Sequence, residues 1–115
     1  MLYNNTAQTF GNVRFKVTGI TTLNSPVTVT PTQAQVRVQT STATGSIMLP
    51  DTSTFNAAAL TLEAPVQPLG GGLNSTLRLN TGLPLAPGGS QAVNFRLSTH
   101  AAGGYFYWVV VEAKP

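Results

Sequence analysis

The sequence predicts an all-β protein, a single antiparallel β-sandwich domain covering residues 1–115 and built from about seven to eight strands. Three observations lead there. Short segments alternate apolar with polar side chains at the two-residue period of a half-buried strand. Proline and glycine clusters punctuate those segments at the spacing of turns. No window sets apolar residues at helical spacing over three turns, and the mildest helical candidate, Phe55-Asn56-Ala57-Ala58-Ala59-Leu60, is too short to count on.

Along the chain, Leu2-Tyr3 reads as the end of a strand whose beginning is missing, so the chain is expected to be excised from a longer one. Val13, Phe15 and Val17 then alternate with Arg14, Lys16 and Thr18, giving a strand that ends near Ile20. Val27-Thr28-Val29-Thr30 lies between Pro26 and Pro31; proline cannot donate to a ladder, which assigns this piece to an edge or a connection. Ala34, Val36 and Val38 alternate with Gln35, Arg37 and Gln39 to give a strand over residues 34–40, and Gly45-Ser46-Ile47-Met48-Leu49-Pro50 is a shorter, weaker candidate.

Leu60 and Leu62 alternate with Thr61 and Glu63 until Pro65 stops the run. Residues 65–73, with Pro68 and the run Gly70-Gly71-Gly72, are expected to be a flexible connecting loop. Leu77 and Leu79 flank Arg78 in the next strand, and the turn-rich Gly82-Leu83-Pro84-Leu85-Ala86-Pro87-Gly88-Gly89 follows. Val93, Phe95 and Leu97 alternate with Asn94, Arg96 and Ser98 as the penultimate strand. That strand is expected to form a hairpin with the last one, Phe95-Arg96-Leu97 against Tyr107-Trp108-Val109, around a loop holding His100, Ala101, Ala102, Gly103 and Gly104.

The last strand carries the most information. Tyr105, Tyr107, Val109 and Val111 point to one face, and Phe106, Trp108 and Val110 to the other. Both faces are apolar, whereas a solvated face would be polar at alternate positions. The strand is therefore expected to lie centrally and to be covered front and back, by its own sandwich on one side and by a protein partner or neighbouring domain, another copy included, on the other. Phe106, Trp108 and Val110 form the candidate partner interface.

A core of ordinary size fits this chain, and the pattern of strands belongs with sandwiches of the immunoglobulin-like kind, a small barrel being the alternative. Charged residues are only 8% of the chain while apolar ones are 42%, against a usual charged share of about 25%. Low charge with ample apolar content marks a globular domain with an uncharged polar surface rather than a disordered segment. The net charge of +3 arises from six basic and three acidic residues. Arg14, Lys16, Arg37, Arg78 and Arg96 are dealt one or two to a strand instead of forming a phosphate-neutralising run, so no nucleic acid partner is expected. No apolar run approaches the roughly 18 residues of a helical membrane span, and Met1-Leu2-Tyr3-Asn4-Asn5-Thr6 lacks a signal-peptide pattern.

Catalytic chemistry has little to work with. There is no cysteine, one histidine and three carboxylates, Asp51, Glu63 and Glu112. That set predicts no enzyme, no catalytic residues, no cofactor and no metal site. A histidine in a loop with no nucleophile elbow near a serine reads as a surface group, and Gly70-Gly71-Gly72 lacks the following Gly-Lys-Ser/Thr of a phosphate loop. Two glycosylation-type triplets occur, Asn4-Asn5-Thr6 and Asn74-Ser75-Thr76. Alternation sends Lys16 and Asn94 outward, away from the dry interior that an isopeptide crosslink between them would need.

Tyr3-Asn4-Asn5-Thr6 through Asn12-Val13-Arg14-Phe15-Lys16-Val17, the Leu85-Ala86-Pro87-Gly88 turn ahead of Val93-Asn94-Phe95-Arg96-Leu97, and Gly104-Tyr105-Phe106-Tyr107 together resemble immunoglobulin-type modules of secreted bacterial multidomain proteins. The resemblance implies a noncatalytic extracellular or cell-surface module for adhesion, spacing or assembly. In many such modules a further strand follows the aromatic one; here only Ala113-Lys114-Pro115 follow, leaving either the N-terminal segment or an open edge beside the last strand. The alternative expectation is a self-assembling subunit of a surface filament or viral shell. A third is a carbohydrate-binding module with Tyr3, Tyr105, Tyr107 and Trp108 as stacking platforms.

Overall fold

A computed structural model describes residues 1–21, 34–45, 47, 48, 50–52 and 54–115, so the candidate strand at residues 27–30 lies outside the described residues. All of the described regular structure is β, with no helix. A four-stranded antiparallel sheet has the order β11-β2-β8-β7, formed by β2 (Asn12–Ile20), β7 (Leu60–Leu62), β8 (Thr76–Leu79) and β11 (Tyr107–Lys114). Across the core lie the antiparallel pair β3 (Gln35–Gln39) and β10 (Arg96–Ala101), and a ladder of β1 (Leu2–Tyr3), β9 (Ser90–Val93) and β6 (Ala57–Ala58). In that ladder β1 runs antiparallel to β9 and β6 runs parallel to it. A short antiparallel pair, β4 (Ile47–Met48) and β5 (Thr54–Phe55), completes the described elements.

Alternation explains the core directly. Val13, Phe15 and Val17 of β2 are buried while Arg14 and Lys16 between them are half-buried. Val36 and Val38, Leu60 and Leu62, and Leu77 and Leu79 repeat the pattern on β3, β7 and β8. Fully burying a side chain of this size contributes about 1.5–3 kcal/mol. Phe95 meets Phe15 edge to face, with ring centres 5.1 Å apart at 81°, joining the two sides of the core.

Three local expectations are corrected, while the segment 55–60, too short to count as a helix, is extended: Phe55 ends β5, Ala57–Ala58 form β6 and Leu60 opens β7. An isolated helix of that length pays its nucleation cost with too few bonds to recover it, and its main chain is held by neighbours: Ala57 O accepts from Thr44 N, Ala58 O from Asn94 N and Leu60 O from Ser41 N. The penultimate strand is broken at Asn94 and Phe95 into β9 and β10, which pair with different partners. The expected hairpin is absent, because β10 pairs with β3 while β11 pairs with β2 in the facing sheet. His100 accordingly sits within β10 and not in a hairpin loop. Finally, Gly70-Gly71-Gly72 is buried and docked rather than a flexible connector. Val38 N donates to Gly71 O at 2.9 Å and Gly71 N to Val38 O at 2.8 Å, a bridge that brings backbone onto the core.

Asn4 and Ser41 are buried polar side chains with satisfied partners, whereas Arg37 Nε is buried without one. Asn4 is 3% exposed; its Nδ2 donates to Gln8 O and Leu85 O at 2.7 and 3.0 Å, and its Oδ1 accepts from Thr6 N and Oγ1. Ser41 Oγ donates to Asn94 O at 2.6 Å and accepts from Leu60 N at 2.9 Å, linking β7 to the break between β9 and β10.

Candidate interaction surface

The terminal strand occupies an edge, not the centre, of its sheet among the described residues. Its outer face is open to solvent, with Trp108 66%, Val110 51% and Phe106 49% exposed. The expectation that this strand lies centrally in its sheet is therefore corrected. Alternating apolar residues report that two faces want cover; they do not report how many strands stand beside them.

Local structure sets this strip in place. Val109 pairs with Val17 and Trp108 with Gly19, so Thr18 is an extra residue and β2 carries a β-bulge beneath the tryptophan. A Cβ on Gly19 would stand 3.0 Å from Trp108 Cδ1 and 3.7 Å from Phe106 Cε2. The missing side chain thus lets both rings lie across the neighbouring strand, as aromatic residues do over glycine in a sheet. Thr21, itself buried, clamps the entry to the strip. Its main-chain N donates to Phe106 O at 3.0 Å, and its Oγ1 accepts from Phe106 N at 2.9 Å. Further along, Val110 stands opposite Lys16, Glu112 opposite Arg14 and Lys114 opposite Asn12. The strip is thereby bordered by polar and charged groups toward the end of the strand.

The inward-facing residues behave differently. Tyr107 and Val109 are half-buried, and Tyr107 lies 6.1 Å from Phe95 between ring centres. Tyr105, just ahead of the strand, is exposed.

One juxtaposition was not visible in the sequence. Ser98 and His100 share a strand two residues apart, and His100 Nε2 lies 3.1 Å from Ser98 Oγ and 3.3 Å from Leu69 O. Gln39 Nε2 donates to the same two oxygens at 2.7 and 2.6 Å. Two-residue spacing on one strand was the signal, masked by assigning His100 to a loop. Glu63 is engaged elsewhere, 3.1 Å from Arg14 Nε, and Glu112 lies on the four-stranded sheet. The serine and histidine so placed fasten the docked glycine loop to β3 and β10. Among the described residues no group of three His, Asp or Glu side chains comes together around a common point.

The other candidates separate cleanly. Asn4 of the first glycosylation-type triplet is consumed by internal hydrogen bonds, whereas Asn74 of the second is exposed in the turn before β8. Asn94 Nδ2 donates to Thr42 O on the layer facing away from Lys16. No helix among the described residues is long and apolar enough to cross a membrane. No protein family, curated protein or solved structure matches this chain.

Proposed function

We propose that this chain is a noncatalytic extracellular structural or interaction module with an immunoglobulin-like sandwich architecture, and that it engages a protein partner through Phe106, Trp108 and Val110. The observation that carries the proposal is the flush apolar strip those residues form. Large rings seated over Gly19 and fixed at one end by Thr21 present a rigid, preorganised contact that costs little side-chain entropy when covered. Exposed apolar patches of this kind mark interaction sites, and aromatic anchors dominate binding energy at interfaces. The sandwich assignment is supported by two β layers sharing one core. The extracellular setting is supported by the resemblance of the Leu85-Ala86-Pro87-Gly88 turn and the Gly104-Tyr105-Phe106-Tyr107 segment to modules of secreted bacterial proteins, and by a surface poor in charge.

Incorporating the photoreactive residue benzoylphenylalanine at position 108 of the protein in its native setting tests the proposal. Illumination should yield a covalent adduct to protein, resolved by gel mobility and mass spectrometry. If no protein adduct forms, the proposed role is wrong.

A further inference from the structure

We propose that the partner is a second copy of this chain, joined edge to edge and antiparallel through β11 about a twofold axis at Val110, so that the two four-stranded sheets become one; this rests on the function proposed above and names its partner.

The two edges of the sheet are not alike. Along β7 the edge is sealed: Ser41 N donates to Leu60 O at 2.9 Å, Leu60 N to Ser41 Oγ at 2.9 Å and Leu62 N to Thr40 Oγ1 at 3.0 Å. Among the described residues, the main chain of β11 is paired on one side only. Phe106 bonds to Thr21 through both N and O, and Lys114 O accepts from Gly11 N at 2.9 Å. Between them Val110 faces Lys16 and Glu112 faces Arg14, while Val17 of β2 turns its own N and O to Ser75 and Asn74 on the far side. Strand alternation therefore directs the N–H and C=O groups of Tyr107, Val109, Val111 and Ala113 away from β2, toward the open edge. No lysine, proline or inward-pointing charge guards that edge between Tyr107 and Val111.

The inner side of the edge is also unfinished. Val111 is 46% exposed and lines a seam of about 80 Å³ with Leu2, Phe10, Leu85 and Ala113 on its apolar side and residues 3–6 on its more polar side. Valines of a second β11 would close it.

Geometry restricts the register. Directly opposed residues in antiparallel strands share a face, so a twofold axis must pass through a residue and not between two. At Val110 it sets Tyr107 opposite Ala113 and Val109 opposite Val111 of the second copy, and every outward N–H and C=O finds a mate. Moved to Val111, the axis would set Tyr107 against Pro115, which has no N–H to offer. Moved to Glu112, it would oppose two carboxylates, which repel. At Val110 the outer face sets Val110 against its own copy, Glu112 beside Trp108, and the Lys114 ammonium over the Phe106 ring.

Sedimentation velocity across a concentration series tests the pairing on the purified chain. The native protein should show a concentration-dependent monomer–dimer equilibrium. Val110→Lys and Val110→Glu each place like charges at the axis on an exposed side chain, so each variant should fold normally and lose at least about 100-fold in dimer affinity. Their equimolar mixture should recover a heterodimer. Val111→Pro removes an outward donor without touching the bonds to β2 and should also be monomeric. A native protein that stays monomeric at about 1 mM, or a dimer indifferent to all three substitutions, overturns self-pairing. If a heterologous protein adduct then forms at position 108, the proposed function survives without self-pairing; if no adduct forms, both fall.

Discussion

Gly71→Ala measures how tightly the glycine run is docked. A Cβ there would stand 2.7 Å from both Leu62 Cδ1 and Val38 Cγ2 and 3.0 Å from Ser75 Cβ. Ordinary contacts between carbons lie at about 3.5–4.0 Å, so something must move by about 1 Å. Leu62 and Val38 are buried, at 8% and 0% exposure, and cannot swing into solvent. Overpacking of this sort costs about 1–3 kcal/mol. If the loop lifts instead, it weakens the two main-chain bonds between Gly71 and Val38, at about 0.5–1.5 kcal/mol each. Against this, replacing glycine stiffens the unfolded chain, a gain of about 0.4–1 kcal/mol. The balance is a loss of about 1 kcal/mol, or a fall in Tm of about 4 °C for a domain of this size. Differential scanning calorimetry reads it, with Gly45→Ala as the control, since nothing lies within 4 Å of a Cβ at Gly45. Equal Tm values for the two variants would refute the docked loop and restore a flexible connector.

Other substitutions probe the strip and its supports. Trp108→Ala should cost less than about 1 kcal/mol in urea unfolding of the monomer, because the ring is 66% exposed, whereas a fully enclosed tryptophan would cost about 3–5 kcal/mol. Asn4→Ala strips partners from Gln8 O, Leu85 O and Thr6 N and should destabilise by about 1–3 kcal/mol; an unchanged denaturation midpoint would show that the N-terminal turn is not anchored. Thr21→Val leaves Phe106 N without its side-chain acceptor; hydrogen exchange at the Phe106 amide should accelerate at least about tenfold, and unchanged protection would count against the clamp.

Much of the architecture was legible because burial leaves a period. Val13, Phe15 and Val17 located β2, Val36 and Val38 located β3, and Leu77 and Leu79 located β8, each within a residue or two of the observed limits. What alternation does not encode is the neighbour. The penultimate segment and the terminal strand are close in sequence, yet Asn94 and Phe95 break one ladder and the chain crosses to the facing layer before β11 begins. Likewise the glycine run lacks side chains, and sequence cannot tell a loop that needs freedom from one that needs close approach to Leu62 and Val38. The strip itself was visible as Phe106, Trp108 and Val110; the glycine at position 19 that seats its rings was not, because the bulge displaces it from strict alternation. The Ser98–His100 contact was hidden by the same misplaced hairpin.

The central claim is that the outer face of the terminal strand is wet in the single chain and flanked by the side chains of a second copy in the working assembly. Trp108 is the sole tryptophan, so selectively excited indole fluorescence reports this face alone. In dilute solution its emission should be that of a hydrated indole and should quench readily with acrylamide; as concentration rises through the association range it should shift to the blue and resist quenching, in step with the sedimentation data. Emission that is already blue and shielded in the monomer would contradict the open strip, and emission that stays red and fully quenchable in the assembled protein would contradict its role as a joint.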